Sequence, residues 1–216
     1  MNCCQCQGIE QVFDDARARA ELEAYRRKGV KRTTRMLLRA VETAVSHPHS
    51  LLDIGGGVGG IQHALADKTE RIVNVDASSA YLSLAREEAQ RLGYADKAAY
   101  RHGNFVELAP ELEPVDVVTL DRVICCYHDM EGLVSASVAK AKRLYALVYP
   151  RDVWWLRLLR PLSVLWLWAW QTPFRIFVHS ETAVDALIRQ HGFQQRYRET
   201  AGMWQVVVYQ KQDAIG

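Results

Sequence analysis

Two carboxylates frame a run of glycines in this chain. Asp53 stands two residues before Gly55, the run 55–60 reads GGGVGG, and Asp76 follows sixteen residues after its last glycine. Without Cβ atoms the backbone at Gly55 and Gly57 can turn tightly and approach a ligand closely. A carboxylate that ends the next strand, as Asp76 does, stands where ribose hydroxyls would lie. The chemistry is therefore that of holding a nucleotide. Gly55, Gly57 and Gly60 also satisfy the dinucleotide spacing G-x-G-x-x-G, so two cofactors compete. Asp53 separates them: a carboxylate there meets the cationic methionine end of S-adenosylmethionine (SAM) and would repel a pyrophosphate. The expected cofactor is SAM, with Ala77 and Asp121 beside it.

A second cluster spans residues 121–129, where Asp121, Arg122, Tyr127, His128 and Asp129 crowd one stretch after an apolar run. Ligands of open α/β sheets sit outside the carboxyl ends of the strands, so this loop should border the acceptor. It is the best place for a general base, with His128 able to act near neutral pH and Tyr127 next to it. The alternative is that His128 and Asp129 only cap the helix expected over 132–142. Cys125 and Cys126 read as packing residues. Arg122, Trp154, Arg175 and His179 are the expected substrate contacts, the last two suited to an acidic group.

These residues need strands ending at the site and helices behind them. Residues 50–54, 71–76, 98–103, 115–120 and 143–150 read as strands, the fourth an almost continuous apolar run typical of a buried parallel strand. Helices are expected over 11–28, 32–45, 61–67, 80–91 and 181–191. Residues 194–199 and 204–211 alternate around Ala201-Gly202 and read as an antiparallel hairpin. Five of the six tryptophans fall in residues 152–177, where Arg157, Arg160 and Pro161 break the apolar run. That segment suits a lid or substrate wall, a membrane-surface contact, or a homodimer interface.

Composition narrows the class. The 216 residues fit one α/β domain, with 49% apolar and 24% charged residues. A net charge of +2 argues against a nucleic-acid partner. No apolar run of some 18 residues suggests a membrane span, and the N-terminus is no secretory signal. Five cysteines, Cys3, Cys4, Cys6, Cys125 and Cys126, form a poor disulfide framework, and a cytoplasmic setting, with peripheral membrane contact as an option, is the natural reading. The His-x-His at 47–49 reads as solvated, and no metal is expected.

The D-x-G-x-G run with the acidic end of the second strand resembles the class I SAM-dependent methyltransferases. That resemblance implies a Rossmann-like, doubly wound seven-stranded sheet of order 3-2-1-4-5-7-6, its last strand antiparallel, with an N-terminal helical cap. The expected layout is one domain: cap 1–46, SAM-binding core 50–150, tryptophan-rich lid 151–180, and C-terminal helix and hairpin 181–211. LLDIGGGVGG, VDAS, HGNF, LDRVICCYHD and YPRDVWW narrow the resemblance to bacterial methyltransferases related to magnesium-protoporphyrin O-methyltransferase. It implies that Asp53, Gly55 and Gly57 bind SAM, Asp76 the ribose, and Asn104 and Phe105 the adenine. The expected function is methyl transfer to a small, apolar or aromatic acceptor, a porphyrin-like carboxylate included. The alternatives are a non-catalytic SAM-binding or membrane-associated partner protein, and a thiol or metalloid methyltransferase.

Overall fold

A computed structural model describes residues 4–152 and 175–212 of the chain. The expectations for Trp154 and for most of the tryptophan-rich segment, including lid, membrane contact and dimer patch, lie outside the described residues, as does Cys3.

Seven strands form one sheet: β1 (Ser50–Ile54), β2 (Arg71–Asp76), β3 (Ala98–His102), β4 (Val115–Asp121), β5 (Ala141–Pro150), β6 (Phe193–Ala201) and β7 (Trp204–Lys211). Their order is β3-β2-β1-β4-β5-β7-β6, parallel from β3 to β5, with β7 antiparallel between β5 and β6. This is the expected order. Eight helices flank it among the described residues: α1 (Cys4–Val12), α2 (Asp15–Lys28), α3 (Arg32–Ala44), α4 (Gly60–Leu65), α5 (Ser79–Arg91), α6 (Phe105–Leu108), α7 (Met130–Val138) and α8 (Glu181–Gln190).

The period-2 alternation of the central strands builds a core on each face. Leu52, Ile54, Val118 and Leu120 pack with Leu133 of α7 and Ile188 of α8, while Leu51, Val117 and Val148 pack with Leu37 and Val41 of α3. Asp53 lies on the second of these faces. The register sets Asn74 of β2 and Thr119 of β4 on either side of it, so a buried polar row crosses three strands just below their carboxyl ends.

Two expectations about boundaries are corrected. The helix read over 11–28 is two helices, because Asp14 turns the chain extended and its side chain caps α2 by accepting from the Arg17 N–H at 2.9 Å. The helix read over 132–142 begins at Met130 and ends at Val138, so Ala141 and Lys142 already belong to β5.

The cap is tied to α5 by a buried carboxylate. Glu88 of α5, with no exposed side-chain surface, accepts from Arg26 of α2 at 2.6 Å and from Arg91 at 2.7 Å. These guanidinium bonds, Arg91's the larger, hold its carboxyl down to about 2. A depressed folded-state value means that Glu88 contributes stability above the ordinary glutamate range and loses it as pH falls from there through about 2. Glu88→Gln is therefore expected to lower the melting temperature at pH 7 and to melt within about a degree of wild type near pH 2, which thermal scans at the two pH values measure.

Candidate functional site

The polar row beneath the glycine run is left open on one side. Thr119 Oγ1 donates to Asp53 Oδ1 at 2.7 Å, and Asn74 Nδ2 donates to Gln62 Oε1 at 3.4 Å. Asp53 Oδ2 and Asn74 Oδ1, both buried, accept no hydrogen bond. Gly56 lies against them: a Cβ there would come within 2.8 Å of Asp53 Oδ2 and of the Asn74 amide. The chain passes over its own polar row only because residue 56 has no side chain, a requirement that the motif-based choice of Gly55 and Gly57 missed. Gly55 and Gly57 adopt positive φ, 60° and 57°, and a Cβ at Gly55 would stand 2.5 Å from Val123.

Burial dominates the Asp53 carboxyl. With the charges of Asp121 and Asp76 adding to desolvation, and only the Thr119 hydroxyl opposing, it is pushed up to about 7. Asp76 ends β2, and its two oxygens accept from the Gly57 N–H and the Ser78 N–H, each at 2.9 Å. Burial raises its carboxyl as well, against those backbone bonds. The Asp121 carboxyl is raised by desolvation with Arg122 opposing; Oδ2 accepts from Thr34 Oγ1 of α3, and Oδ1 has no hydrogen-bond donor, the Arg122 Nε lying 3.5 Å away.

One cavity of about 720 Å³ joins these groups, lined by the glycine run, Asp53, Asp76, Ala77, Asn104, Phe105, Asp121, Arg122 and Tyr127. The cap closes it from the far side through Phe13, Arg17, Glu21, Lys31 and Thr34. Glu10 of α1 fastens that side by accepting from the Ser79 hydroxyl and, at 2.9 Å, from His102 Nε2. Burial would raise the Glu21 carboxyl, but Lys31 and the Tyr81 hydroxyl, donating at 2.9 Å, hold it below its usual range. No motif flags these cap residues. The one signal is the polar pair Thr33 and Thr34, buried on the apolar stripe that continues to Leu37 and Val41.

Arg122 is a backbone exception, with φ at 63° and its N–H donating to the Val148 carbonyl at 2.8 Å. That conformation costs of order 1–3 kcal/mol for a non-glycine residue and gathers at functional sites. Its guanidinium donates to Thr33 Oγ1 at 2.6 Å and to Thr34 Oγ1 at 3.3 Å, and lies 5.5 Å from the Trp204 ring centre.

The expected base and substrate residues separate. Tyr127 lines the cavity, and its hydroxyl donates to Asn104 Oδ1 at 3.0 Å. His128 stacks on Tyr127, with ring centres 5.3 Å apart, but is not among the cavity's lining residues. Asp129 caps α7, accepting from the Gly132 N–H at 2.9 Å. Arg175 and His179 also stand off the cavity wall: His179 Nε2 donates to the carbonyls of Ile124 at 3.1 Å and Tyr127 at 3.0 Å, which fastens the 3-10 turn after β4. Asn104 Oδ1 caps α6 by accepting from the Val106 N–H at 3.2 Å and also accepts from Tyr127. Both of its lone pairs are engaged, so an adenine amino group reaches that oxygen only by displacing one of the two donors.

Residues 51–144, somewhat less than half of the chain, match the family profile described as a methyltransferase domain. No curated protein sequence matches the chain. Among solved structures, magnesium protoporphyrin IX methyltransferase (ChlM) from Synechocystis PCC 6803 with bound SAH is similar at 18% identity and a TM-score of 0.66, over 83% of this chain and 81% of that one. An O-methyltransferase family protein from Burkholderia thailandensis is similar at 14% identity and a TM-score of 0.70, over 94% of this chain and 62% of that one. The N-methyltransferase NodS from Bradyrhizobium japonicum WM9 is similar at 14% identity and a TM-score of 0.61, over 82% and 93%. Likeness at this level is one of fold. The strand order is that of this fold, and the matched segment contains the glycine run, Asp53 and Asp76. Residues 51–144 are thus a methyltransferase domain, and the described chain has the fold of SAM-dependent methyltransferases.

Proposed function

We propose that the protein moves the methyl group of SAM onto a small apolar or aromatic acceptor by in-line displacement. The observation that carries this reading is a pair of buried carboxylates lining one largely apolar cavity, in which Asp53 Oδ2 accepts no hydrogen bond and Asp121 Oδ1 has only the Arg122 Nε, 3.5 Å away. Two such oxygens suit the ammonium group at the methionine end, and Asp76 suits the ribose. The sulfonium supplies an intrinsically reactive methyl group, so the chain's main task is alignment.

The acceptor end is read as the wall beyond Arg122, where Val123, Pro150, Ile176, Met203 and Trp204 line the cavity. Aromatic and aliphatic groups there favour a flat apolar acceptor, and Arg122 offers a cation to an acidic substituent. A porphyrin, the compound class in the name of the Synechocystis neighbour, fits the same description, and a carboxylate acceptor on it would need no base. Well over a thousand solved chains share this architecture, so the fold itself does not choose among acceptors.

The test is calorimetric titration with S-adenosylhomocysteine, with NAD in parallel, followed by an acceptor screen that includes porphyrins. Binding of the first alone is the expected result, and binding of NAD alone would sink the reading. Turnover on none of the acceptors beside firm binding would favour a non-catalytic SAM-binding protein.

Of the two base candidates, Tyr127 faces the cavity. With a hydroxyl acceptor, Tyr127→Phe is expected to lower kcat about 10²-fold, in the range of lost general-base assistance, while His128→Ala stays within about twofold. With a carboxylate acceptor, Tyr127→Phe should leave kcat nearly unchanged. A larger loss from His128→Ala than from Tyr127→Phe would reverse the assignment.

A further inference from the structure

Cys125 and Cys126 sit side by side in the 3-10 turn after β4, and both line the cavity. Their sulfurs are 3.8 Å apart, and each reaches toward the Arg122 carbonyl, at 3.3 and 3.5 Å. The turn is fastened from outside by His179 and by the Phe177 N–H, which donates to the Cys125 carbonyl at 2.7 Å. Two thiols are thus presented together on a fixed piece of cavity wall.

Their spacing distinguishes two uses. Adjacent residues have Cα atoms about 3.8 Å apart across a trans peptide, short of the roughly 4.4–6.8 Å that an unstrained disulfide needs. A single soft centre with bonds of about 2.3 Å to both sulfurs holds them about 3.3 Å apart at a right angle and about 3.8 Å apart at the tetrahedral angle. The observed 3.8 Å meets the tetrahedral value, and a pyramidal trivalent centre, with its near-right angle, draws the sulfurs together by only a few tenths of an ångström, which a small side-chain rotation supplies. A closed zinc site needs four ligands, and among the described residues no group of three or more His, Cys, Asp or Glu is placed to hold a metal ion. A centre that needs only two thiols is the better match.

We propose that Cys125 and Cys126 form a dithiol site for a thiophilic centre with two exchangeable positions, of the class of monosubstituted trivalent arsenicals, and that its capture excludes the cofactor. The exclusion rests on the reading of the cavity as the SAM site. Each sulfur gives its proton to one hydroxyl on arsenic, two S–As bonds replace two As–O bonds, and two waters leave. Neither sulfur nor arsenic changes oxidation state. Cys126 begins the reaction: the hydrogen bond from Cys125 lowers its thiol below the usual range, whereas that contact and burial push Cys125 up. Cys125, Cys126 and Asp76 line the same cavity, so the captured group takes up space that the cofactor would fill.

The experiment uses the full chain with Cys3→Ser, Cys4→Ser and Cys6→Ser combined, so that only this pair remains, and phenylarsine oxide as the probe. Native mass spectrometry should find one phenylarsenic group per chain, thiol titration should lose two thiols, and S-adenosylhomocysteine affinity should drop at least tenfold. A small dithiol added afterwards should restore all three readings, and Cys126→Ser in the same background should abolish capture. Two thiols still titratable after treatment, or capture that survives Cys126→Ser, would overturn the site. An adduct with unchanged cofactor affinity would overturn the exclusion. If the untreated variant binds no S-adenosylhomocysteine, the cofactor reading fails separately, because mass and thiol count still report on the pair.

Discussion

Asp53→Asn is expected to raise the melting temperature of the ligand-free protein and to weaken S-adenosylhomocysteine binding. The opposite signs follow from one buried carboxyl. Asp53 titrates at about 7 in the folded chain, against an ordinary value of 3.8. Between those two values the folded state keeps a proton that the unfolded state has released, so stability falls as pH rises across that window. Asparagine has no such proton, and its amide oxygen can still accept from Thr119. The variant escapes a cost on the order of 4 kcal/mol at most. If half of it is realised at pH 8, the melting temperature rises by about 4–8 °C.

Binding moves the other way, because the ammonium group loses a buried ionised partner. A charge-assisted hydrogen bond is typically worth about 1.5–3 kcal/mol, so the affinity loss at pH 8 is roughly 10- to 150-fold. The wild type should bind more tightly as pH rises from 6 to 8, with a smaller dependence in the variant. Calorimetric titration at three pH values and thermal scans at the same values make the check. A carboxylate serving only the fold would lose stability on the same substitution. A lowered melting temperature with unchanged affinity would therefore reject the ligand role.

That contrast also explains what was legible in the sequence. The strands were readable because their apolar alternation and their stops lie within five to ten consecutive residues. β2 was expected at 71–76 and is found there. What failed depended on short-range competition or on distant packing. The break at Asp14 has a local signal, a carboxylate ahead of a helix-forming run, but Ala, Glu and Arg on both sides mask it. Residues 139–142 carry no pattern that separates the end of a helix from the start of a strand; the structure ends α7 because Ala141 pairs with Val115 of β4.

In the site, the motif residues were legible because close backbone approach and a strand-end carboxylate are sequence-local demands. The cap's contribution was not, since Glu21, Lys31 and Thr34 reach the cavity, and Glu10 its partners Ser79 and His102, only after α1, α2 and α3 pack over the sheet. The loop after β4 illustrates both cases. The sequence marks 121–129 as chemically rich, yet only the turn geometry separates Tyr127, on the cavity, from His128 and Asp129. His179 is the reverse case: a residue suited to a ligand, used instead to fasten the turn that presents Cys125, Cys126 and Tyr127.

Asp76→Ala is the second large effect, and it tests a different part of the reading. Asp76 has two tasks. Its oxygens hold the N–H groups of Gly57 and Ser78, which fixes the glycine run relative to the start of α5, and the same carboxylate is proposed to accept from ribose hydroxyls. Alanine removes both. Two charge-assisted bonds to the ribose at about 1.5–3 kcal/mol each give an affinity loss of order 10²-fold or more, before any loosening of the loop adds to it. Asp76→Asn is not expected to rescue, because an amide presents an oxygen to one backbone N–H and its own N–H groups to the other. Both variants should retain the cooperative melt of the wild type at a lower temperature, since the seven-stranded pairing does not pass through this side chain. S-adenosylhomocysteine affinity within threefold of wild type in both would refute the ribose assignment. Loss of binding here does not by itself separate SAM from NAD, because a strand-end carboxylate serves the ribose of either. Asp53 makes that separation: a pyrophosphate is repelled by the ionised group, so Asp53→Asn should relieve NAD binding while it weakens S-adenosylhomocysteine. The two substitutions together therefore distinguish which end of the ligand each carboxylate meets.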